Sequence, residues 1–288
     1  MKGIASACGS ATIVNAIASG KGAAFAIDLR VNAKVELSKE SQEINGIVGE
    51  TGEDSKLIEN CVERVLKKEE VSSDYGAQIK TTAELPIAAG LSSSSAAANA
   101  TVLATFAALN KEPDPLEAVN IGINAAFEAG TTITGAFDDA SASYLGGGTI
   151  TDNEKRGILK RFNIKPDLKI LIYLPPKKSY TQKIDVEKTK LLSEIIETIH
   201  QKALNENIYG AQTVNGLIYS SVLGYDPEPA LEALEAGAES AGLTGTGPGI
   251  VAITKENKIE EIMDFWNSRE GRIIETKPSV EGARIENE

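Results

Sequence analysis

The segment Pro86 to Ala100, PIAAGLSSSSAAANA, constrains this chain more than any other. Proline stops the element before it, Gly90 frees a turn, and four serines, Ser92 to Ser95, lead into an alanine-rich run that closes on Asn110. Hydroxyls at the head and small residues behind them suit the amino end of a buried helix. Such a helix offers unpaired N–H groups and the positive end of its dipole, which together make an anion site. Serine hydroxyls at the same place can reach a metal ion riding on phosphate. An over-capped core helix would use the same residues, so the run alone leaves both roles open.

The surrounding pattern is mixed. Residues 3–37 combine small and β-branched side chains around glycines, which suits strands and tight connections. Asp54 to Lys68 carries Leu57, Ile58, Cys61, Val62, Val65 and Leu66 at helical spacing, and residues 77–86 return to a strand pattern that Pro86 ends. A further helix is predicted over 114–130, with Asp114 and Pro115 at its start and Gly130 at its close. Beyond a glycine-rich stretch at 143–151, the spacing predicts a strand over 167–175, helices over 185–205, 208–223 and 227–242, a strand over 249–254, a helix over 258–269 and a strand over 271–278. That order implies a helix-backed antiparallel sheet. The tail from Ser279 is expected to be loosely held. With 288 residues, at about 150 per domain, two domains are expected, residues 1–152 and 153–288, in an α+β fold.

Composition narrows the function classes. The chain is 42% hydrophobic and 24% charged, ordinary globular usage. Its net charge of −12 leaves neither half basic, which sets aside nucleic acid and anionic membrane as main partners. Two cysteines, Cys8 and Cys61, show no metal-ligand spacing and suit buried thiols in a reducing cytoplasm. Without the apolar core of a signal peptide, the protein is expected to be cytoplasmic. The sequence carries no signal for oligomeric state.

No G-x-x-x-x-G-K-[ST] motif occurs, and no G-x-G-x-x-G leads from a strand into a helix, so nucleotide would have to bind through the serine loop. A serine hydrolase would need a base, and the only histidine, His200, falls within a predicted amphipathic helix. Pro86, Gly90, Leu91 and the Ser93-Ser94 pair followed by alanines resemble the P-x-x-x-G-L-[GS]-S-S-A-A motif of the galactokinase, homoserine kinase, mevalonate kinase and phosphomevalonate kinase (GHMP) superfamily. Two more stretches are similar to its later motifs. One is LTGTGPGIVAI, with Gly245, Gly247 and Gly249 before a strand; the other is FEAGTTITGAFDDASASYLGGG, with Glu128 ten residues before Asp138 and glycines 146 to 148 following. Within the superfamily, GSATIVNAIASGKGAAFAIDL together with TGAFDDASASYLGG resembles the archaeal-type shikimate kinases.

The resemblance implies a two-domain GHMP kinase fold, with a left-handed-crossover-type nucleotide site in the N-terminal α/β domain and a ferredoxin-like α+β domain after it. It implies ATP and Mg²⁺ as cofactors and shikimate as the small-molecule acceptor, phosphorylated at its 3-hydroxyl on the route to chorismate and the aromatic amino acids. The nucleotide set would be Pro86, Ile87, Ala88, Ala89, Gly90, Leu91, Ser92, Ser93, Ser94, Ser95 and Ala96, with Gly245, Thr246 and Gly247 as the second wall. Ser94 and Glu128 would hold the metal. Asp138 matches the position of the base, and Asp139 stands where relatives often carry Asn, so its replacement is expected to be the milder. Beside a metal and a cation, Asp138 is expected to stay ionised at neutral pH. One departure is plain: many relatives begin P-G-[KR], and here the stretch reads Cys8-Gly9-Ser10, without the cation. Lys21, Arg30, Lys177 and Lys178 are the candidates to hold the acceptor's carboxylate in its stead, each also explicable as an ordinary surface charge. Homoserine or mevalonate kinase, or a non-catalytic kinase-like binder, are the other readings open at this stage.

Overall fold

The computed structural model describes residues 1–49, 53–176 and 185–287. Small residues set the framework. β1 (Lys2–Val14) and β2 (Lys21–Ser38) pair antiparallel over nearly their whole length, and both are rich in buried alanine. A Cβ on Gly3 would lie 2.0 Å from the Ala104 carbonyl, so the alanine-rich α2 (Ser93–Ala108) lies on β1 at backbone distance. Eleven of its sixteen residues are buried, which is why it is apolar or small on every side.

Around this core, β3 (Ile44–Val48) and β4 (Gly76–Ala83) run parallel across a crossover through α1 (Lys56–Lys68), whose buried stripe is the one read from the sequence. α3 (Pro115–Glu128) starts as expected, with the Asp114 carboxylate accepting from the Glu117 amide at 3.0 Å. α4 (Phe137–Leu145) leads into β5 (Gly148–Asp152), which pairs with β2 and with β6 (Gly157–Phe162). The boundary expected at 152 thus falls in the turn between two strands of one sheet.

A second sheet, wholly antiparallel, takes the order β10 (Arg272–Thr276), β7 (Leu168–Leu174), β9 (Ile250–Lys255), β8 (Ser240–Leu243). It is backed by α7 (Ile208–Leu223), α8 (Glu228–Glu235) and α9 (Ile259–Asn267), while α6 (Ser193–Leu204) packs on α7 and on β1, β2 and β5 of the first sheet. The two lobes are those of an α+β, two-domain chain. Three expectations are corrected. The helix over 185–205 breaks into α5 (Val186–Lys190) and α6, the helix over 227–242 ends at Glu235 to let β8 form, and the tail is fixed. Arg284 and Ile285 form β11 against β1, the Ala283 amide donates to Tyr144 O, and the Arg30 guanidinium donates to Gly282 O at 3.1 Å.

Candidate active site

Two loops from different lobes meet backbone to backbone. A Cβ on Gly90 would lie 2.2 Å from the Thr244 carbonyl oxygen, the Thr244 hydroxyl donates to Gly90 O at 3.0 Å, and the Gly249 amide donates to Ala89 O. β1 locks the pair, since the Thr12 amide donates to the Thr244 hydroxyl and the Thr12 hydroxyl accepts from the Gly245 amide at 2.9 Å. Asn15 Nδ2 adds a bond to Gly245 O at 2.7 Å. The serine loop and the late glycine loop are therefore two walls of one cavity of about 490 Å³, which Ser92 to Ser95, Gly245, Thr246, Asp138 and Asp139 all line.

Backbone strain gathers at the same place. Ala88, Ser92 and Ala136, none of them glycine, hold φ near +58°, +57° and +45°, and all three line the cavity. Left-handed backbone costs an L-residue roughly 1–2 kcal/mol, and such strain collects at binding sites. Ser92 and Ala136 are the N-cap residues of α2 and α4, and neither helix receives a side-chain cap. The first-turn amides of α2 are left for an anion.

The start of α4 carries the two carboxylates. Asp138 is 3% exposed, and its Oδ1 accepts from Asn153 Nδ2 at 2.7 Å. Asp139 Oδ1 accepts from Ser10 Oγ at 2.8 Å, and the Ser92 hydroxyl also supports it. Ser10 thus gives a neutral donor where the motif's cation is missing. The expectation that Asp138 stays comfortably ionised is corrected: burial first, and the Asp139 charge next, push its pKa up to about 7, against the pull of Asn153. Burial also raises Asp139.

Of the expected residues, three stand elsewhere and two lie outside the described residues. Glu128 is the last residue of α3, its side chain 53% exposed, and its carboxylate forms a two-pronged pair with Arg64 of α1, away from the cavity lining. Arg30 is buried at 8% exposure and spent on the tail, donating to Ser6 Oγ and Gly282 O. Lys21 pairs with Asp152 and does not line the cavity. Lys177 and Lys178 lie outside the described residues. Among the described residues, no lysine or arginine lines the cavity. His200 is also not in its lining; buried on α6, its Nε2 sits 3.2 Å from the Thr151 carbonyl, so the serines have no base of the hydrolase kind.

The described residues hold no cluster of three or more His, Cys, Asp or Glu fit for a metal ion. A magnesium ion that arrives on nucleotide phosphates asks less of the protein, one or two hard oxygens, and the exposed Ser94 hydroxyl at the first turn of α2 fits that need. Glu128, already paired, does not.

A serine-headed helix and a glycine-rich loop enclosing a carboxylate-bearing cavity between two lobes define a small-molecule kinase of the GHMP class. Residues 56–147 match the GHMP kinases N terminal domain. The chain is 45% identical to a shikimate kinase of Methanothrix thermoacetophila over 99% of its own length and 96% of the relative's, and 43% identical to one of Methanothermobacter thermautotrophicus, over 96% of each. In fold it resembles the mevalonate kinase of Methanococcus jannaschii, at a TM-score of 0.76 and 18% identity, over 96% of this chain and 98% of that one. The homoserine kinase of Cytophaga hutchinsonii follows at 0.74 and 16%, over 99% and 97%. The chain belongs to the archaeal shikimate kinase family of the GHMP kinases. No helix among the described residues is long and apolar enough to cross a membrane.

Proposed function

We propose that the protein transfers the terminal phosphoryl group of ATP to the 3-hydroxyl of shikimate. What carries this reading is the near full-length identity of 45% to a shikimate kinase, in a chain whose serine loop, glycine loop and paired carboxylates share one cavity. Phosphoryl transfer asks a protein mainly to position the reactants and balance charge. The amides and hydroxyls at the head of α2 would hold the phosphates, with Thr246 and the glycine-loop amides opposite. Mg²⁺, when bound through Ser94 and the phosphates, would supply charge neutralisation on the transferring group.

Asp138 would orient the attacking hydroxyl and take its proton late in the step, a role suited to a carboxyl whose pKa lies near the working pH. Asp139, held by Ser10 and Ser92, would keep the neighbouring negative charge in place. The test is ADP release with Mg-ATP across shikimate, homoserine, mevalonate and galactose. Release with shikimate alone is the expected result; release with none of the four would favour a kinase-like binder, and a preference for another acceptor would overturn the assignment.

A further inference from the structure

Asn153 follows β5 directly and is almost wholly buried, its amide nitrogen donating to Gly20 O at 2.8 Å. Its side chain is pinned at both ends. Thr151 Oγ1 lies 2.6 Å from Asn153 Oδ1, and Asn153 Nδ2 lies 2.7 Å from Asp138 Oδ1. Because an ionised carboxylate only accepts, the amide must turn its NH₂ towards Asp138, and the threonine hydroxyl then donates to the amide oxygen. Thr151 Oγ1 has a second acceptor within reach, Gly22 O at 3.2 Å. That alternative leaves room for the reverse arrangement.

We propose that Asn153 and Thr151 form a positioning relay which satisfies Asp138 in both of its protonation states. With the carboxylate charged, Thr151 donates to Asn153 and Asn153 donates to Asp138. As the acceptor's O–H bond breaks and its oxygen forms the new bond to phosphorus, ADP leaves with the electron pair of the broken P–O bond, and the proton passes to Asp138 and rests on Oδ1. The Asn153 amide then turns over, so that its oxygen accepts from the new carboxyl O–H and its NH₂ donates to Thr151 Oγ1, whose own proton swings to Gly22 O. No proton travels along the relay, and every polar atom in it keeps a partner. In a buried site this matters, because an unpaired donor or acceptor costs about 1–3 kcal/mol.

Besides Asn153, the backbone amides of Asp138 and Asp139 at the start of α4 also support the charged carboxylate. A side chain at position 22 would collide with Asp138 Oδ2, since a Cβ there would lie 2.5 Å away, so that side of the carboxyl is packed against bare backbone. The charged or titratable groups around it are Asp139 beside it on α4, Tyr219 on α7, the Lys21–Asp152 pair at the ends of β2 and β5, and His200 of α6 behind Thr151. The relay rests on the reading of Asp138 as the proton acceptor.

Two measurements test it. In Asn153→Leu both bonds are lost, and because the one to the charged carboxylate is the stronger, the acid limb of the kcat profile should move up by about one pH unit or more, the rate at neutral pH falling about fivefold or more and recovering at alkaline pH, with the ATP KM unchanged. An equal loss at every pH would make Asn153 a structural residue only and overturn the proposal. The second uses the unmodified protein labelled with ¹⁵N. The Asn153 side-chain NH₂ signals should shift with the midpoint of the rate profile, and that shift should vanish in Asp138→Asn. Signals that do not titrate, or that titrate unchanged in Asp138→Asn, refute the relay. Full activity of Asp138→Asn would instead refute the reading beneath it.

Discussion

Gly90 and Thr244 touch through their backbones, 154 residues apart in sequence, and this contact joins the serine loop to the late glycine loop. Gly90 holds φ +78°, and a Cβ would enter at 2.2 Å from the Thr244 oxygen. Gly90→Ala therefore combines left-handed strain of about 1–2 kcal/mol with a clash that only backbone movement can relieve. The expected outcome is a lower Tm and an ATP KM raised about tenfold or more, measured by thermal melting and initial rates. An unchanged ATP KM would show that the contact does not shape the nucleotide wall.

Asp138 couples activity to stability with opposite signs. Its folded pKa, about 7, lies above the unfolded value near 3.8, so between those values the folded state binds the extra proton and is progressively destabilised as pH rises. Above neutrality the penalty is complete. Asp138→Asn should therefore raise Tm at pH 8 and have much less effect at pH 4, while kcat falls by about 10² to 10⁴. Asp139→Asn removes the charge that helps raise Asp138, so the acid limb of its rate profile should move to lower pH. Paired denaturation and pH–rate series read all of these shifts.

Much of this site is legible in the sequence, because glycine turns, hydroxyl-headed helices and acidic pairs mark their positions locally. What escapes is partnership. Asn153 sits one residue past the expected boundary, and nothing in its neighbours announces that it faces Asp138 across 15 positions. Ser10 reads as a missing cation, and only the fold brings it to Asp139. β8 is only four residues, Ser-Ala-Gly-Leu, too short for a periodic signal, and its glycine is bare because α7 crosses there so closely that a Cβ on Gly216 would meet the Gly242 Cα at 2.4 Å. Arg30 and Glu128 carry the charge a ligand would want, and each is taken by a partner distant in sequence, the tail for one and Arg64 for the other.

Ser94 and Glu128 should separate cleanly. Ser94→Ala is expected to lower kcat and raise the Mg²⁺ concentration needed for half-maximal rate, with little change in Tm, since its hydroxyl lies exposed in the cavity. Glu128→Gln loses one exposed ion pair, worth at most about 1 kcal/mol, and should leave the Mg²⁺ dependence alone. A Mg²⁺ titration of both variants checks this, and a larger shift in Glu128→Gln would return that residue to the metal.

Arg30 tests the tail. Arg30→Met leaves the Gly282 carbonyl and Ser6 hydroxyl without their charged donor, a loss of about 1.5–3 kcal/mol per bond at the upper end. Urea unfolding should show a clear drop in stability, with the shikimate KM within about twofold of the parent. A KM rise without a stability change would place Arg30 at the acceptor after all.

The most direct measurement is the identity of the product. Incubation with Mg-ATP and shikimate, followed by ³¹P NMR and mass spectrometry of the small molecules, should show ADP and a single phosphate monoester on the shikimate 3-oxygen in equal amounts, and no such product from Asp138→Asn on the same time scale. Free inorganic phosphate without phosphorylated shikimate, or a phosphate ester of homoserine or mevalonate formed in preference, would contradict the account.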